Sequence, residues 1–235
     1  MIRILLAYPQ VDLSNCTVVI ANAACRDYLQ AVKLILADLR CLELDLSDMM
    51  SRAVEDEATE VVIYLLSLPE VNPTYDNNSA LRHSIKNGDA TVVAALLSDP
   101  RVERNNLSAS FSRALENGYT EVVRLLLADS RFKLPCMTSG MEKAIERNRV
   151  EVVRLIIEDG RYNTKYLSIE QTPKNCSVEM VKLLLSDKRI DPTTEFNGAL
   201  RNARKFKRVD VEMLLLQDWR VRALDVKRQG VQQLA

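Results

Sequence analysis

VVRLLLADSR, residues 122–131, places five apolar side chains in its first six positions and then breaks at Asp129-Ser-Arg131. On a helix, that run is apolar around more than half the circumference, as suits an element packed on a partner helix and on a neighbour of its own kind. The segment returns with drift as VVAALLSDPRV (92–102), VVRLIIEDGRY (152–162) and MVKLLLSDKRI (180–190). Weaker copies lie at 31–41, 61–71 and 211–221, and a fragment, MIRILLAYPQV, opens the chain at 1–11. Aligned on Asp99, the equivalent residues are Tyr8, Asp38, Leu68, Asp99, Asp129, Asp159, Asp187 and Asp218, spaced by 30, 30, 31, 30, 30, 28 and 31 residues. A fixed period of this size marks a stacked repeat protein, in which no unit buries its apolar face alone.

The second helix of each unit is preceded by a shorter amphipathic segment: MSRAVEDE (50–57), ALRHSIKNG (80–88), SFSRALENG (110–118), GMEKAIERN (140–148) and ALRNARKFK (199–207). Apolar residues recur there at i, i+3 and i+4, as in Phe111, Ala114 and Leu115, or Met141, Ala144 and Ile145. Such a stripe belongs to a helix of about two turns that persists only through tertiary packing. The predicted fold class is therefore all-α, a solenoid of about seven to eight stacked helix-turn-helix units. It occupies residues 1–235 as a single domain: a partial repeat at 1–11, repeats at 12–42, 43–72, 73–103, 104–133, 134–163, 164–191 and 192–222, and a cap or tail at 223–235.

Between the two helices stands Gly88 or Gly118, suited to the left-handed backbone that ends a helix. The equivalent residues are Asp27, Glu57, Asn148, Cys176 and Lys207. Asp and Asn tolerate that conformation, whereas Glu57 and Lys207 predict strained or reshaped turns in repeats three and eight. Pro173, with the shortened 28-residue spacing, predicts a truncated first helix in repeat seven. The greatest regularity is expected over residues 70–160. Residue 1 already falls inside a second helix, which leaves an apolar face for a segment outside the chain or for another partner to cover.

The unit (L/M/F)xxA(L/I)ExGxxEVVxLLLxDxRV resembles the ankyrin repeat, in a divergent class with a DPRV-type turn in place of the usual hairpin. The resemblance runs from about residue 1 to 221 and is most specific in NGDATVVAALLSDPRV and ENGYTEVVRLLLADSRF. The Thr-Pro-Leu-His that opens many ankyrin units is absent; Ser79, Ala80, Leu81 and Arg82 stand there in repeat four. The resemblance implies recognition of a partner protein, of unknown identity, through a concave face formed by the first helices and connecting loops.

One position of the first helices varies from repeat to repeat: Asn22, Arg52, His83, Arg113, Lys143, Gln171 and Asn202. Of these, Arg52, His83, Arg113, Lys143 and Asn202 are the candidate partner-binding residues. Acids at i+3, namely Glu55 after Arg52, Glu116 after Arg113 and Glu146 after Lys143, give the competing picture of a self-neutralised solvated face. A second ladder, Asp-x-Arg, recurs at 38/40, 99/101, 129/131, 159/161, 187/189 and 218/220. Its arginines could dock an acidic partner, but the simpler account is that Asp caps the loop backbone while Arg pairs with it or with the neighbouring unit, recurring because the architecture recurs. The alternative function is electrostatic binding of nucleic acid or another polyanion through Arg201, Arg204, Lys205, Lys207 and Arg208 of repeat eight.

Composition favours protein binding over that alternative, because 32 basic residues balance 32 acidic ones in 235 and leave no global field. The longest apolar runs fall well short of the roughly 20 residues that span a bilayer, so a cytoplasmic or nuclear location is expected. One histidine and five cysteines without CxxC spacing argue against a metal site, and no phosphate loop or nucleophile motif is present. No catalysis, cofactor, metal or small-molecule substrate is expected.

Overall fold

The computed structural model describes residues 16–37, 44–135, 138–164 and 176–232. Among these residues it is all-helical, with fourteen helices and no strand. In chain order they are α1 (Cys16–Cys25), α2 (Leu29–Leu36), α3 (Leu46–Glu55), α4 (Thr59–Leu66), α5 (Tyr75–Asn87), α6 (Ala90–Ser98) and α7 (Ser108–Asn117). The others are α8 (Thr120–Ala128), α9 (Thr138–Glu146), α10 (Val150–Asp159), α11 (Val178–Ser186), α12 (Thr194–Lys205), α13 (Val209–Gln217) and α14 (Trp219–Gln232). The fragment at 1–11, the Asp38/Arg40 pair, Gln171 and Pro173 lie outside the described residues.

The chain divides into two compact bodies, residues 1–111 with 128–133 and residues 112–127 with 134–235. In the first body α1 packs on α2, α3 on α4 and α5 on α6. The first helices α1, α3 and α5 also follow one another in contact, as do α2, α4 and α6. In the second body α9 packs on α10 and α12 on α13, α11 touches α10 and α13, and α14 lies against α12 and α13. The apolar stripes form the core as their spacing predicts. Phe111, Ala114, Leu115, Met141 and Ala144 from first helices, and Val122, Val123, Leu126, Val152, Val153 and Ile156 from second helices, are all at most 1 % exposed. The C-terminal helix begins at Trp219, four residues before the expected cap.

Six hairpin turns share one geometry. Asp27, Glu57, Gly88, Gly118, Asn148 and Lys207 all have positive φ, from 55° to 84°. The N–H of the following residue donates five residues back: Tyr28 to Ala23 O, Ala58 to Ala53 O, Asp89 to Ser84 O, Tyr119 to Ala114 O, Arg149 to Ala144 O and Arg208 to Ala203 O. This is the left-handed helix ending that closes the last carbonyls of a helix. Glu57 and Lys207 therefore do not reshape their turns; packing of the two helices imposes the conformation on residues that enter it at a cost.

The Asp-x-Arg motif joins consecutive repeats. Arg101 forks onto Asp99, with Nη2 2.6 Å from Oδ2, and also donates to Val71 O at 2.9 Å and Leu66 O at 3.2 Å. In the same way Arg131 donates to Leu97 O (2.7 Å), Arg161 to Leu127 O (2.9 Å), Arg189 to Ile157 O (3.0 Å) and Arg220 to Ile190 O (3.1 Å). Leu66, Leu97, Leu127 and Ile157 lie in the last turns of second helices, whose carbonyls lack intrahelical partners and carry the negative end of the helix dipole. Hydrogen bonds from the arginines hold the Asp99, Asp159 and Asp218 carboxyls below the usual range. At Asp187 burial pushes the other way and the bonds from Arg189 outweigh it.

One departure falls inside the stretch expected to be most regular. Asp76, Asn77 and Asn78 form a left-handed turn within α5, with φ of 44°, 59° and 63°. Arg82 braces it by donating to Asn77 O at 3.1 Å and Asp76 O at 3.0 Å. Glu195 and Asn197 repeat the conformation at the start of α12. Both places follow a related turn, in which Asn72 accepts from the Thr74 N–H and Asp191 from the Thr193 N–H.

Candidate partner-binding face

The candidate residues lie on first helices, where the core stripe turns the opposite side outward. In the first body Arg52 projects from α3 with its side chain 63 % exposed, and its Nε donates to Asp48 Oδ2 at 2.8 Å. The acid is one turn back, not Glu55. Glu55 instead lies 3.3 Å from His83 Nδ1 on α5, which is also 3.2 Å from Ser79 Oγ. Two hollows flank Arg52. One, of about 380 Å³, is lined by Asn22 and Cys25 on one side and by Asp45 and Met49 on the other. The second, of about 550 Å³, is lined by Glu55, Tyr75 and Asp76. Tyr75 sits among carboxylates, and Asp48, burial and Asp45 together push its hydroxyl above the usual range.

In the second body two candidates meet. Arg113 Nη1 on α7 is 3.8 Å from Glu116 Oε2, and Lys143 Nζ on α9 is 3.7 Å from the same oxygen. Lys143 therefore turns to the preceding repeat and not to Glu146. A third cation that the sequence reading missed, Arg147, sits 2.7 Å from Glu116 Oε1. Glu116 is only 7 % exposed. The signal for this cluster was present in the repeat alignment, since the cation of one unit and the acid of the unit before it recur on facing turns. It could be recognised only once the helices were in register.

That register depends on two glycines. A Cβ on Gly140 of α9 would meet Ser112 Cα of α7 at 2.9 Å, so the helices approach more closely than any side chain allows. At Gly118, where φ is +81°, a Cβ would meet Arg149 Cδ at 2.7 Å. Arg149 Nε donates to Glu116 O at 3.3 Å, closing the same corner from below the turn.

Asn202 is half-buried on α12. Two of the five basic residues of repeat eight are paired with acids: Arg204 bonds Glu212 at 2.8 Å and Asp225 at 2.9 Å, and Arg208 Nη2 is 2.9 Å from Asp210 Oδ2. Asp218, close in sequence to this run, pairs with Arg220. Arg201, Lys205 and Lys207 remain exposed, with Lys205 Nζ 5.7 Å from the Phe206 ring centre.

The cysteines that can be described are not activated. Burial and a hydrogen bond with Asp56 push the Cys25 thiol up to about 11, and burial does the same to Cys176, whose Sγ donates to Ile145 O at 3.1 Å. Among the described residues no group of three or more His, Cys, Asp or Glu side chains could hold a metal ion, and no helix is long and apolar enough to cross a membrane. Comparison with protein-family models, with curated proteins and with solved structures found no match.

Proposed function

We propose that this chain is a non-enzymatic interaction module, a solenoid of ankyrin-like repeats that binds a partner protein through the outward side of its first helices. The observation that carries this reading is a division of labour among the arginines. Those of Asp-x-Arg are engaged by their own aspartate and by carbonyls of the repeat before. Arg52, Arg113 and Lys143 instead keep half or more of their side chains in solvent on the variable positions of first helices. A surface that varies over a constant frame is what specific recognition requires. Arg52 and His83 would serve the face of the first body, and Arg113, Lys143 and Asn202 that of the second. A cytoplasmic or nuclear setting belongs to the same proposal.

The polyanion alternative at Arg201–Arg208 is weaker, because Arg204 and Arg208 already have carboxylate partners within 2.9 Å. The test is affinity capture from nuclease-treated host lysate with residues 1–235 and with an Arg52→Ala, Arg113→Ala, Lys143→Ala variant, at low and moderate salt. A discrete protein held at moderate salt by the parent and lost from the folded variant is the expected result. Capture unchanged by the triple substitution would remove this face, and retention confined to low salt and abolished by nuclease would favour the polyanion reading.

A further inference from the structure

We propose that the first-helix face of the second body recognises an acidic segment of the partner protein through Arg113, Lys143 and Arg147. This rests on the protein-binding reading above and adds the chemistry of the partner. Glu116 is the key residue. A carboxylate 7 % exposed needs a cation beside it, since an unpaired buried charge is strongly destabilising. Arg147, at 2.7 Å, meets that need by itself.

Arg113 and Lys143 add two further cations to the same carboxylate at 3.8 and 3.7 Å, beyond hydrogen-bond reach. Neither donates a hydrogen bond to any described residue, and their side chains are 54 % and 51 % exposed. Arg149, bonded to the Glu116 carbonyl, brings a fourth cation to the corner. Glu142 and Glu146 stand beside Lys143 on α9, and with both counted four cations, Arg113, Lys143, Arg147 and Arg149, face three acids. One carboxylate thus gathers more positive charge than it neutralises, and the remaining donors face solvent.

Three other helix-surface arginines are each matched by acids. Arg52 has Asp48, Arg154 lies between Glu151 and Glu179, and Arg204 lies between Glu212 and Asp225. At this patch the close approach of Gly140 to Ser112 holds the two helices at fixed spacing. Guanidinium groups suit carboxylates through paired N–H donors, so a short run of Asp or Glu would find its partners already placed. A polynucleotide fits less well. The chain has 32 basic and 32 acidic residues, and Glu142 and Glu146 flank the patch, where a phosphate backbone would need a continuous basic track.

The test is fluorescence anisotropy with a labelled dodecapeptide of alternating Glu and Gly, against its Gln counterpart and a single-stranded dodecanucleotide, each titrated with residues 1–235 at low salt. The Glu peptide should bind, the Gln peptide should not, and Arg113→Ala with Lys143→Ala should weaken binding about tenfold or more. Arg124→Ala with Arg154→Ala, on α8 and α10, should leave affinity unchanged. Circular dichroism melts check that the variants fold, and Arg113→Gln with Lys143→Gln repeats the test with less change of shape. Equal affinity in parent and double variants, no binding of the Glu peptide at millimolar concentration, or tighter binding of the oligonucleotide through the same residues would each overturn the proposal. If the lysate experiment retains a discrete protein while the Glu peptide fails, only the acidic chemistry falls and the interaction reading stands.

Discussion

The Asp27 carboxylate accepts the backbone N–H of Val61 at 2.9 Å, so the residue that turns one hairpin also caps the second helix of the next. Glu60 N–H adds a longer bond at 3.4 Å. Asn148, which turns a later hairpin, accepts the N–H of Ser177, the residue that itself caps α11, at 2.9 Å. Asp27→Ala should lose that cap and cost about 1 kcal/mol, with further cost from placing Ala at positive φ. Asp27→Gly loses the cap but relieves the turn, so it should be the milder of the two in urea denaturation. Equal midpoints for both variants would show that backbone strain contributes nothing at this turn.

Glu57 and Lys207 hold φ of 60° and 55° without a side chain suited to it. Glycine would remove roughly 1–2 kcal/mol of steric cost and return part of it as unfolded-state entropy. Glu57→Gly and Lys207→Gly should each therefore raise stability by up to about 1 kcal/mol. A lowered melting temperature for both would contradict this account of the turns.

Acid should loosen the clips between repeats. The Asp99, Asp159 and Asp218 carboxyls titrate below the usual value because arginine hydrogen bonds favour their charged form. The unfolded chain then binds more protons than the folded one between the two values. Their stabilisation is complete above about pH 4 and is lost as pH falls through the lowered folded value. Asp99→Asn should destabilise at neutral pH by about 1–2 kcal/mol, allowing for the partly exposed guanidinium, and should flatten the acid limb of the stability curve. An acid limb identical to that of the parent would refute the assignment.

Gly140→Ala would push a Cβ to 2.9 Å from Ser112 Cα, backbone that cannot swing aside. Overpacking of this kind costs about 1–3 kcal/mol and should separate α7 from α9. Urea denaturation measures the cost; a neutral substitution would mean that the helices tolerate a wider spacing than the structure has.

Leu126, fully buried on α8, is expected to cost about 2–5 kcal/mol when cut to Ala, with chemical denaturation as the measurement. A loss below about 1 kcal/mol would mean that the helix presents another face to the core.

The helices were legible because their apolar residues follow the helical period and recur every thirty residues. Val122, Val123 and Leu126 must face inward wherever such a helix packs. The expected first helices began too late in several repeats, since Tyr75–Asn78 and Thr194–Asn197 carry few apolar residues in helical register. The left-handed turn at Asp76–Asn78 left no periodic trace. It is held by Arg82 reaching back to two carbonyls, a contact made after the chain has folded.

The candidate face divides along the same line. Sequence identified Arg52, His83, Arg113 and Lys143 as equivalent positions and paired three of them with acids on their own helices, of which only Arg113 with Glu116 is found. Pairing within a helix depends on separations of three or four residues and can be counted from a sequence. Pairing between repeats depends on how closely two helices approach, which small residues such as Gly140 control.

The sequence by itself determined the all-helical class, the hairpin unit and the inward stripe, because each follows from local periodicity and from the need to bury apolar surface. The tertiary structure alone decided that the Asp-x-Arg arginines reach carbonyls of the repeat before and that Lys143 and Arg147 join Arg113 at Glu116. Those contacts join groups about thirty residues apart, and their energies depend on distance and burial that exist only after the helices have packed.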